Sequence, residues 1–226
     1  MRAGRWKVVL SVLGVVVGAL MGGRRAEGAL PIGFVRSTVV SGLSEPTALA
    51  FLPDGRLLVA ERAGRVRVVQ DGALVVQPML QLATVSSSAD EKGLLGMAVA
   101  PSFPASPYVY VFYTRGLPLP RNRVSRFTVG GSPLGSGNTI DPASEFLVWE
   151  NSDPSAEIHQ GGTVRIGTDG KVYISAGDQY TPENAQMLSN QHGKILRMNA
   201  DGTVPTDNPF VATAGVRPEI WAYGFR

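Results

Sequence analysis

Residues 162–175 read Gly162-Thr-Val-Arg-Ile-Gly-Thr-Asp-Gly-Lys-Val-Tyr-Ile-Ser175, two β-type runs separated by an Asp-Gly turn. Asp169-Gly170 is a dipeptide that hairpin turns favour, because glycine adopts positive φ without steric cost. A third run, Lys194-Ile-Leu-Arg-Met198, alternates basic and apolar residues. The segment therefore predicts a small antiparallel meander of three strands.

Two earlier segments repeat this order of strand, turn, strand and alternating strand. They are Thr47-Ala-Leu-Ala-Phe-Leu-Pro-Asp-Gly-Arg-Leu-Leu-Val-Ala60 with Arg65-Val-Arg-Val-Val69, and Leu94-Leu-Gly-Met-Ala-Val-Ala-Pro101 with Tyr108-Val-Tyr-Val-Phe-Tyr113 and Arg123-Val-Ser-Arg-Phe-Thr-Val129. When Pro53, Pro101 and Thr168 are aligned, the repeats are spaced by 48 and 67 residues. Repeated meanders of this size are typical of propeller blades.

The repeats predict an all-β fold, a β-propeller of which three blades are present. The last stretch, Trp221–Arg226, resembles the approach to the first strand of a fourth blade. The alternative is a β-sandwich whose hairpins are alike by accident. Because propellers usually close with 4–8 blades, we expect an N-terminal fragment. Its uncovered blade edge would favour self-association, so oligomerisation stays open.

The composition supports a β-rich domain and excludes several classes of site. The chain has 226 residues, of which 44% are hydrophobic and 17% charged, with 27 glycines and 16 prolines. This many turn-forming residues suit short strands better than long helices. Cysteine is absent, which excludes disulfide scaffolds, zinc-thiolate sites and cysteine nucleophiles.

The first 28 residues are predicted to be a signal peptide. Arg2, Arg5 and Lys7 precede an apolar run over residues 8–21, interrupted by Ser11. This run is short for a membrane span, which needs roughly 20 residues. We therefore expect a periplasmic or secreted protein without stable membrane insertion, with its propeller domain over residues 35–226. A retained anchor or a buried apolar segment is the alternative.

The positive charge of the chain belongs mostly to this leader. The formal net charge is +3, and residues 1–28 contain five basic residues and one acidic residue. Without them the charge is −1, and no basic stripe with interleaved aromatic residues follows. Nucleic acid is therefore not an expected partner.

The alignment of the repeats also exposes a column of polar residues. Nine residues before each aligned position stand Ser44, Lys92 and His159, and Arg226 is expected near the same place. The first strand of a propeller blade lines the central channel, so the leading end of each strand faces the channel mouth. The repeats alone thus predict a ring of Ser, Lys, His and Arg side chains at a ligand site.

A histidine and an aspartate in the third repeat are expected to meet. His159 precedes the first strand of the hairpin and Asp178 follows the second. Because the strands are antiparallel, both residues return to the same end of the hairpin. Histidine suits general-base catalysis near neutral pH, and a carboxylate on the other ring nitrogen fixes its tautomer.

Several motifs in order resemble the soluble quinoprotein glucose/sorbosone dehydrogenases, from about Ser41 to the end of the chain. The motifs are Glu45-Pro-Thr-Ala-Leu-Ala-Phe-Leu-Pro-Asp-Gly55, Asp90-Glu-Lys-Gly-Leu-Leu-Gly-Met-Ala98, His159-Gln-Gly-Gly-Thr-Val-Arg-Ile-Gly-Thr-Asp-Gly170, Gly177-Asp178-Gln179, Gly193-Lys-Ile-Leu-Arg-Met-Asn199 and Tyr223-Gly-Phe-Arg226.

The resemblance implies a six-bladed propeller that holds pyrroloquinoline quinone (PQQ) with Ca²⁺ and oxidises the C1 hydroxyl of aldoses. His159 matches the catalytic base and Asp178 the residue that orients it. The implied contacts to the sugar or the quinone come from Glu91, Lys92, Gln160 and Arg226. The expected partners are a small sugar and an electron acceptor. No metal ligand is expected in this part of the protein, which is therefore not expected to hold PQQ tightly.

One departure from the family pattern keeps other functions open. The glucose enzymes place an aspartate before the catalytic histidine, where this chain has Ile158. Glucose as substrate is therefore in doubt. The rivals are a Ca²⁺-dependent lactonase-type propeller and a propeller that binds protein or glycan without catalysis.

Three further features are predicted to be structural. His192 stands at the start of an outer strand, away from the expected channel. Asp201, Asp207 and Asn208 lack the spacing of a calcium loop. Residues 182–190 are expected to form a single helical turn or an irregular loop.

Overall fold

A computed structural model describes residues 31–88 and 91–226. Residues Thr38–Arg226 form one unit, and the described part of the preceding unit, residues 31–37, contains a turn but no helix or strand. The predicted signal peptide, residues 1–28, lies outside the described residues, as does Asp90. Within the described ranges, no helix is long and apolar enough to cross a membrane.

The first sheet contains the repeat that begins at Thr47. Its strands lie in the order β1-β2-β3-β4, and each is antiparallel to its neighbour. The short strand β5 also pairs with β3. The strands are β1 (Pro46–Phe51), β2 (Leu57–Glu61), β3 (Arg65–Gln70), β4 (Ala73–Leu74) and β5 (Leu80–Gln81).

The second and third sheets are four-stranded antiparallel meanders. The second consists of β6 (Leu94–Val99), β7 (Tyr108–Arg115), β8 (Arg121–Thr128) and β9 (Phe146–Glu150). The third consists of β10 (Gly161–Ile166), β11 (Val172–Ala176), β12 (Lys194–Met198) and β13 (Ile220–Tyr223).

The two Asp-Gly turns lie where the sequence predicts them. Gly55 and Gly170 have φ of +92° and +73°, in the left-handed region that favours glycine. The Asp54 carboxylate accepts a hydrogen bond from the backbone N–H of Arg56, and Asp169 accepts one from Lys171. Each aspartate thus stabilises its own turn.

The first strands of the three sheets are neighbours, with β6 in contact with β1 on one side and with β10 on the other. Two apolar clusters hold the sheets together. The cluster between the first and second sheets includes Leu58, Val66, Met97, Val111 and Phe127. The cluster between the second and third sheets is built around Phe112, Val124, Trp149, Ile174 and Leu196.

The second sheet is therefore buried on both faces. This explains the continuous run Tyr108–Tyr113, in which neither alternate set of side chains faces water. In the third sheet, the exposed side chains of Thr163 and Arg165 alternate along β10 with buried Val164. A strand with one buried face shows this alternation of polar and apolar residues.

The all-β antiparallel prediction is confirmed and the three predicted strands are present in each sheet, but the prediction missed β4 and β5 of the first sheet and the outer strands of the second and third. Within the predicted fourth-blade approach, Trp221–Arg226, the first three residues belong to β13, which pairs with β12 and completes the third sheet. Long irregular segments, residues 129–145 and 199–219, precede both outer strands, so no local turn signals their pairing. The ring of six blades stays a prediction.

Gly96 allows the second and third sheets to approach one another. Its backbone has no positive φ, but a Cβ at this position would overlap the carbonyl oxygen of Gly162 in β10. Backbone atoms cannot move aside as a flexible side chain can. The glycine is therefore required by packing and not by conformation.

We expect Gly96→Ala to lower the free energy of unfolding by about 3 kcal/mol, since one added methyl group overpacks the contact between β6 and β10. Urea unfolding measures the change. The control Gly170→Ala places a methyl group in open space at positive φ and should cost about 1 kcal/mol. Equal losses in the two variants would contradict the packing explanation.

Candidate active site

His159 lies in the loop that enters β10, two residues before the first residue of that strand. Its φ is +61°, an uncommon backbone conformation for a residue other than glycine. Its carbonyl oxygen accepts hydrogen bonds from the backbone N–H and the side-chain amide of Gln179, at 3.3 and 3.2 Å. Its backbone N–H donates to the carboxylate of Glu91, in the neighbouring repeat. Contacts from two sheets thus fix this residue.

The predicted contact between His159 and Asp178 is present. The distance from His159 Nδ1 to Asp178 Oδ1 is 2.6 Å, and the aspartate side chain is 4% exposed. The same carboxylate oxygen accepts the backbone N–H of Tyr180 at 3.0 Å. Asp178 follows β11, so the β10–β11 hairpin brings the two residues to one end, as the antiparallel pairing predicts.

The other ring nitrogen of His159 faces Arg226. The distance between His159 Nε2 and Arg226 Nη2 is 2.9 Å. A guanidinium can donate but cannot accept, so Nε2 accepts this hydrogen bond and Nδ1 carries the proton donated to Asp178. Both neighbours therefore favour the same neutral tautomer, with a lone pair on Nε2.

An open depression of about 390 Å³ lies beside this pair. His159, Asp178 and Arg226 supply its polar lining, and its apolar lining comes from Pro182, Ala185, Gly224 and Phe225. The ring of Tyr180 stands edge-on to the imidazole, with ring centroids 5.6 Å apart. A polar ligand with one apolar face suits this combination of groups.

Lys194 holds one wall of the depression. Its side chain is buried, and its ammonium donates to the carbonyl oxygens of Asn184, Ala185 and His192 at 2.7, 3.2 and 2.6 Å. Burial lowers the pKa of this lysine to about 8. The Ala185 carbonyl also accepts the backbone N–H of Gly224, so the lysine supports the approach to Arg226.

The 3₁₀ turn Pro182–Gln186 forms this wall. Of the two alternatives predicted for residues 182–190, a helical turn or an irregular loop, the helical turn is present. The connection from Asp178 to the turn is short, and the Asn184 side-chain amide donates to the Asp178 carbonyl oxygen at 3.0 Å. This hydrogen bond ties the turn to the aspartate.

Close backbone packing beneath the site depends on Gly177. A Cβ at this position would overlap the carbonyl oxygen of His159. The Gly177 N–H donates to the Gln160 carbonyl oxygen, and its own carbonyl accepts the N–H of Gly193 at 2.9 Å. This contact explains the glycine that precedes Asp178 in the sequence.

Glu91 and Lys92 both contact the loop of His159. Lys92 is buried, and its ammonium forms an ion pair of 2.8 Å with Glu157. Glu91 is exposed, and its carboxylate accepts the backbone N–H of His159. Lys92 therefore lies close to the His159 loop, and the ligand contacts predicted for Glu91 and Lys92 stay predictions.

Gln160 and Ser44 have different surroundings. Gln160 is buried, and its side-chain amide bonds with Asn122 Nδ2 at 2.9 Å and with the carbonyl oxygen of Ala156 at 2.7 Å. The Ser44 backbone N–H donates to the buried carboxylate of Glu61 at 2.7 Å. These contacts involve protein groups, and the ligand contact predicted for Gln160 stays a prediction.

Asp207 and Asn208 stabilise the third sheet. Their side-chain oxygens accept hydrogen bonds from the buried guanidinium of Arg197 at 2.7 and 2.9 Å. Asp201 accepts the backbone N–H of Thr203. Across residues 31–88 and 91–226, no group of three or more His, Cys, Asp or Glu side chains is arranged to hold a metal.

Sequence reasoning missed Glu157, Lys194 and Tyr180 as parts of the site. Glu157 is an ordinary loop carboxylate in the sequence, and its buried partner lies 65 residues away. Lys194 could have been noticed, because it is a basic residue at the start of a strand that is otherwise largely apolar. Tyr180 follows directly after the motif that contains Asp178.

A family model described as Glucose / Sorbosone dehydrogenase matches residues 43–226. The chain belongs to this family. The match covers the three sheets and includes His159, Asp178 and Arg226, so the resemblance seen in the motifs is confirmed.

Characterised relatives extend the comparison. The chain is 31% identical over 221 residues to quinoprotein glucose dehydrogenase B of Acinetobacter calcoaceticus, covering 85% of this chain and 44% of the relative. It is 32% identical over 190 residues to aldose sugar dehydrogenase YliI of Escherichia coli, covering 81% and 49%. The chain thus spans about half the length of the curated relatives it matches.

A solved structure supports the fold. The PQQ-bound aldose sugar dehydrogenase of Streptomyces coelicolor matches with a TM-score of 0.72 and 31% identity, covering 85% of this chain and 54% of that one. The antiparallel sheets described above therefore agree with those of the family.

His192, predicted to be structural, is buried in the segment that precedes β12. Its Nε2 lies 3.5 Å from Asp153 Oδ2, in the loop that follows β9. Burial lowers the pKa of His192 below its ordinary value of 6.5, against the opposing attraction of Asp153. This histidine is therefore expected to influence stability near neutral pH.

Because the pKa of His192 is lower in the folded state, the unfolded chain takes up a proton first as the pH falls below about 6.5. The stability linked to neutral His192 is complete above pH 6.5 and is lost as the pH falls towards the lowered pKa. Urea unfolding between pH 7.5 and 5.5 should show this decline, and His192→Gln should flatten it. The control Asp201→Asn should retain it, and an unchanged slope in His192→Gln would refute the assignment.

Proposed function

We propose that the protein takes part in PQQ-dependent oxidation of an aldose or a related sugar alcohol group. The observation that carries this proposal is the His159–Asp178 pair, which opens onto a depression with Arg226 in a chain of the glucose/sorbosone dehydrogenase family. A secreted or periplasmic location, a sugar substrate and a separate electron acceptor belong to the same proposal.

His159 acts as the general base in this scheme. Asp178 accepts a hydrogen bond from the Nδ1–H group, which leaves the Nε2 lone pair to remove the proton of the sugar hydroxyl. The imidazolium that forms is stabilised by the buried carboxylate at 2.6 Å. The Arg226 guanidinium, which now donates to Nε2, has to release this nitrogen before the hydroxyl can reach it.

The residues beside the depression fit part of a quinone carboxylate site. Arg226 supplies an exposed guanidinium that can bind a carboxylate, and Phe225 supplies an aromatic wall for a planar ring. When bound, the quinone would supply the acceptor for the hydride that leaves the sugar carbon. Arg226 and Phe225 would hold the quinone. His159 would take up the hydroxyl proton, and Asp178 would stabilise the imidazolium that forms. Calcium enters no step of this scheme.

The substrate class follows from the same surfaces. A pyranose presents hydroxyl groups for His159 and Arg226 and an apolar face for the wall at Pro182 and Phe225. Ile158 replaces the aspartate of the glucose enzymes and supplies no hydrogen-bond acceptor on its side chain. An aldose other than glucose is therefore the proposed substrate.

The complete gene product should reduce an artificial electron acceptor with an aldose panel when PQQ and Ca²⁺ are added. We expect His159→Gln to lower kcat/KM by about 10²- to 10⁴-fold, because the base is lost. The control His192→Gln changes the other histidine and should retain turnover. Turnover without quinone would favour the lactonase alternative, and sugar or protein binding without turnover would favour a binding propeller.

Asp178→Asn is expected to lower kcat by about 10²- to 10⁴-fold while KM changes little, because the amide can stabilise the wrong imidazole tautomer. Steady-state kinetics with the best aldose measure the two constants. The exposed residue Asp141 provides the control, Asp141→Asn, which should behave as the wild type. A large rise in KM with unchanged kcat would argue against the orienting role of Asp178.

A further inference from the structure

Lys92 has a buried ammonium whose carboxylate partner is exposed. The side chain of Lys92 is 2% exposed and that of Glu157 is 71% exposed, with 2.8 Å between Nζ and Oε1. A buried charge is strongly unfavourable without a partner. Because the buried ammonium requires this carboxylate, the ion pair holds the loop of Glu157 against the second sheet.

The ion pair lies close in sequence and in space to the loop that carries His159. Glu157 lies two residues before His159, and Lys92 lies next to Glu91, which accepts the His159 backbone N–H. Glu91 and Lys92, which precede β6, therefore both bind the short loop that contains Glu157 and His159. One supplies a cation for a carboxylate, and the other supplies a carboxylate for a backbone N–H.

The loop needs such contacts because the sheet does not fix it. Residues 151–160 contain no strand, and the β10–β11 pairing is irregular between Gly161 and Val164. A left-handed φ at a residue other than glycine is unfavourable unless the surroundings impose it. At His159, with φ of +61°, the imposed conformation decides where the imidazole points.

We propose that Lys92 and Glu157 form a positioning pair that holds His159 in register with Asp178. The inference rests on the proposed role of His159 as a base. The pair contacts neither the imidazole nor the depression. It acts through the backbone of residues 157–159, and the adjacent contact from Glu91 completes the grip.

The opposing explanation is that Glu157 only compensates a buried charge. A double-mutant cycle separates the two explanations, because Glu157→Gln leaves the Lys92 ammonium buried without its carboxylate, whereas Lys92→Met with Glu157→Gln removes both charges. In the double variant the buried charge is gone, and of the two contacts that tie the loop to the segment before β6 only that of Glu91 is left. Stability and His159 geometry are then expected to respond differently.

Stability is measured by urea unfolding and His159 geometry by NMR of the imidazole in the purified protein. The Nδ1 proton that bonds to Asp178 gives a downfield resonance, assigned by its loss in His159→Gln. We expect Glu157→Gln to be destabilised and the double variant to regain most of the loss. The resonance should shift or broaden in both variants, and where turnover is present kcat should fall about 10- to 100-fold.

A wild-type resonance in the double variant would overturn the proposal, because the pair would then serve charge compensation alone. Asp207→Asn is the matched control, since it removes an exposed carboxylate from the buried Arg197 far along the third sheet. It should leave the His159 resonance unchanged. The NMR result does not depend on turnover, so an absence of quinone-dependent oxidation would count against the proposed function and not against this pair.

Discussion

The close approach of the first strands of the three sheets is the constraint on which the molecule depends. β6 lies between β1 and β10, and Gly96 permits its contact with the backbone at Gly162. Once these strands lie side by side, the segments that enter them meet at one rim. Residues 91–92 therefore reach residues 157–159, although 65 positions of sequence separate Lys92 from Glu157.

In the candidate site, four residues bind either the ring nitrogens or the backbone of His159. Asp178 holds Nδ1, Arg226 occupies Nε2, and Gln179 and Glu91 bind the backbone on its two sides. None of these groups belongs to the strand that follows His159. The hairpin brings Asp178, the neighbouring sheet brings Glu91, and the segment after β13 brings Arg226. The chemistry thus draws on packing between sheets as much as on local sequence.

Features governed by neighbouring residues could be predicted from the sequence. The Asp54-Gly55 and Asp169-Gly170 turns were predicted correctly, because glycine and aspartate act within the turn itself. The His159–Asp178 contact followed from antiparallel pairing across one hairpin. The strand Phe146–Glu150 and the partner of Lys92 escaped prediction, since both depend on contacts made after long irregular segments. No single-sequence pattern records which distant carboxylate a buried ammonium will meet.

The burial of the second sheet on both faces has an evolutionary consequence. A strand with water on one side can exchange half of its residues freely, whereas β7 has no such tolerant half. Lineage differences in this part of the molecule are therefore expected to accumulate in residues 116–120, which join β7 to β8 and belong to neither apolar cluster. The central sheet, which is packed on both faces, is expected to change least.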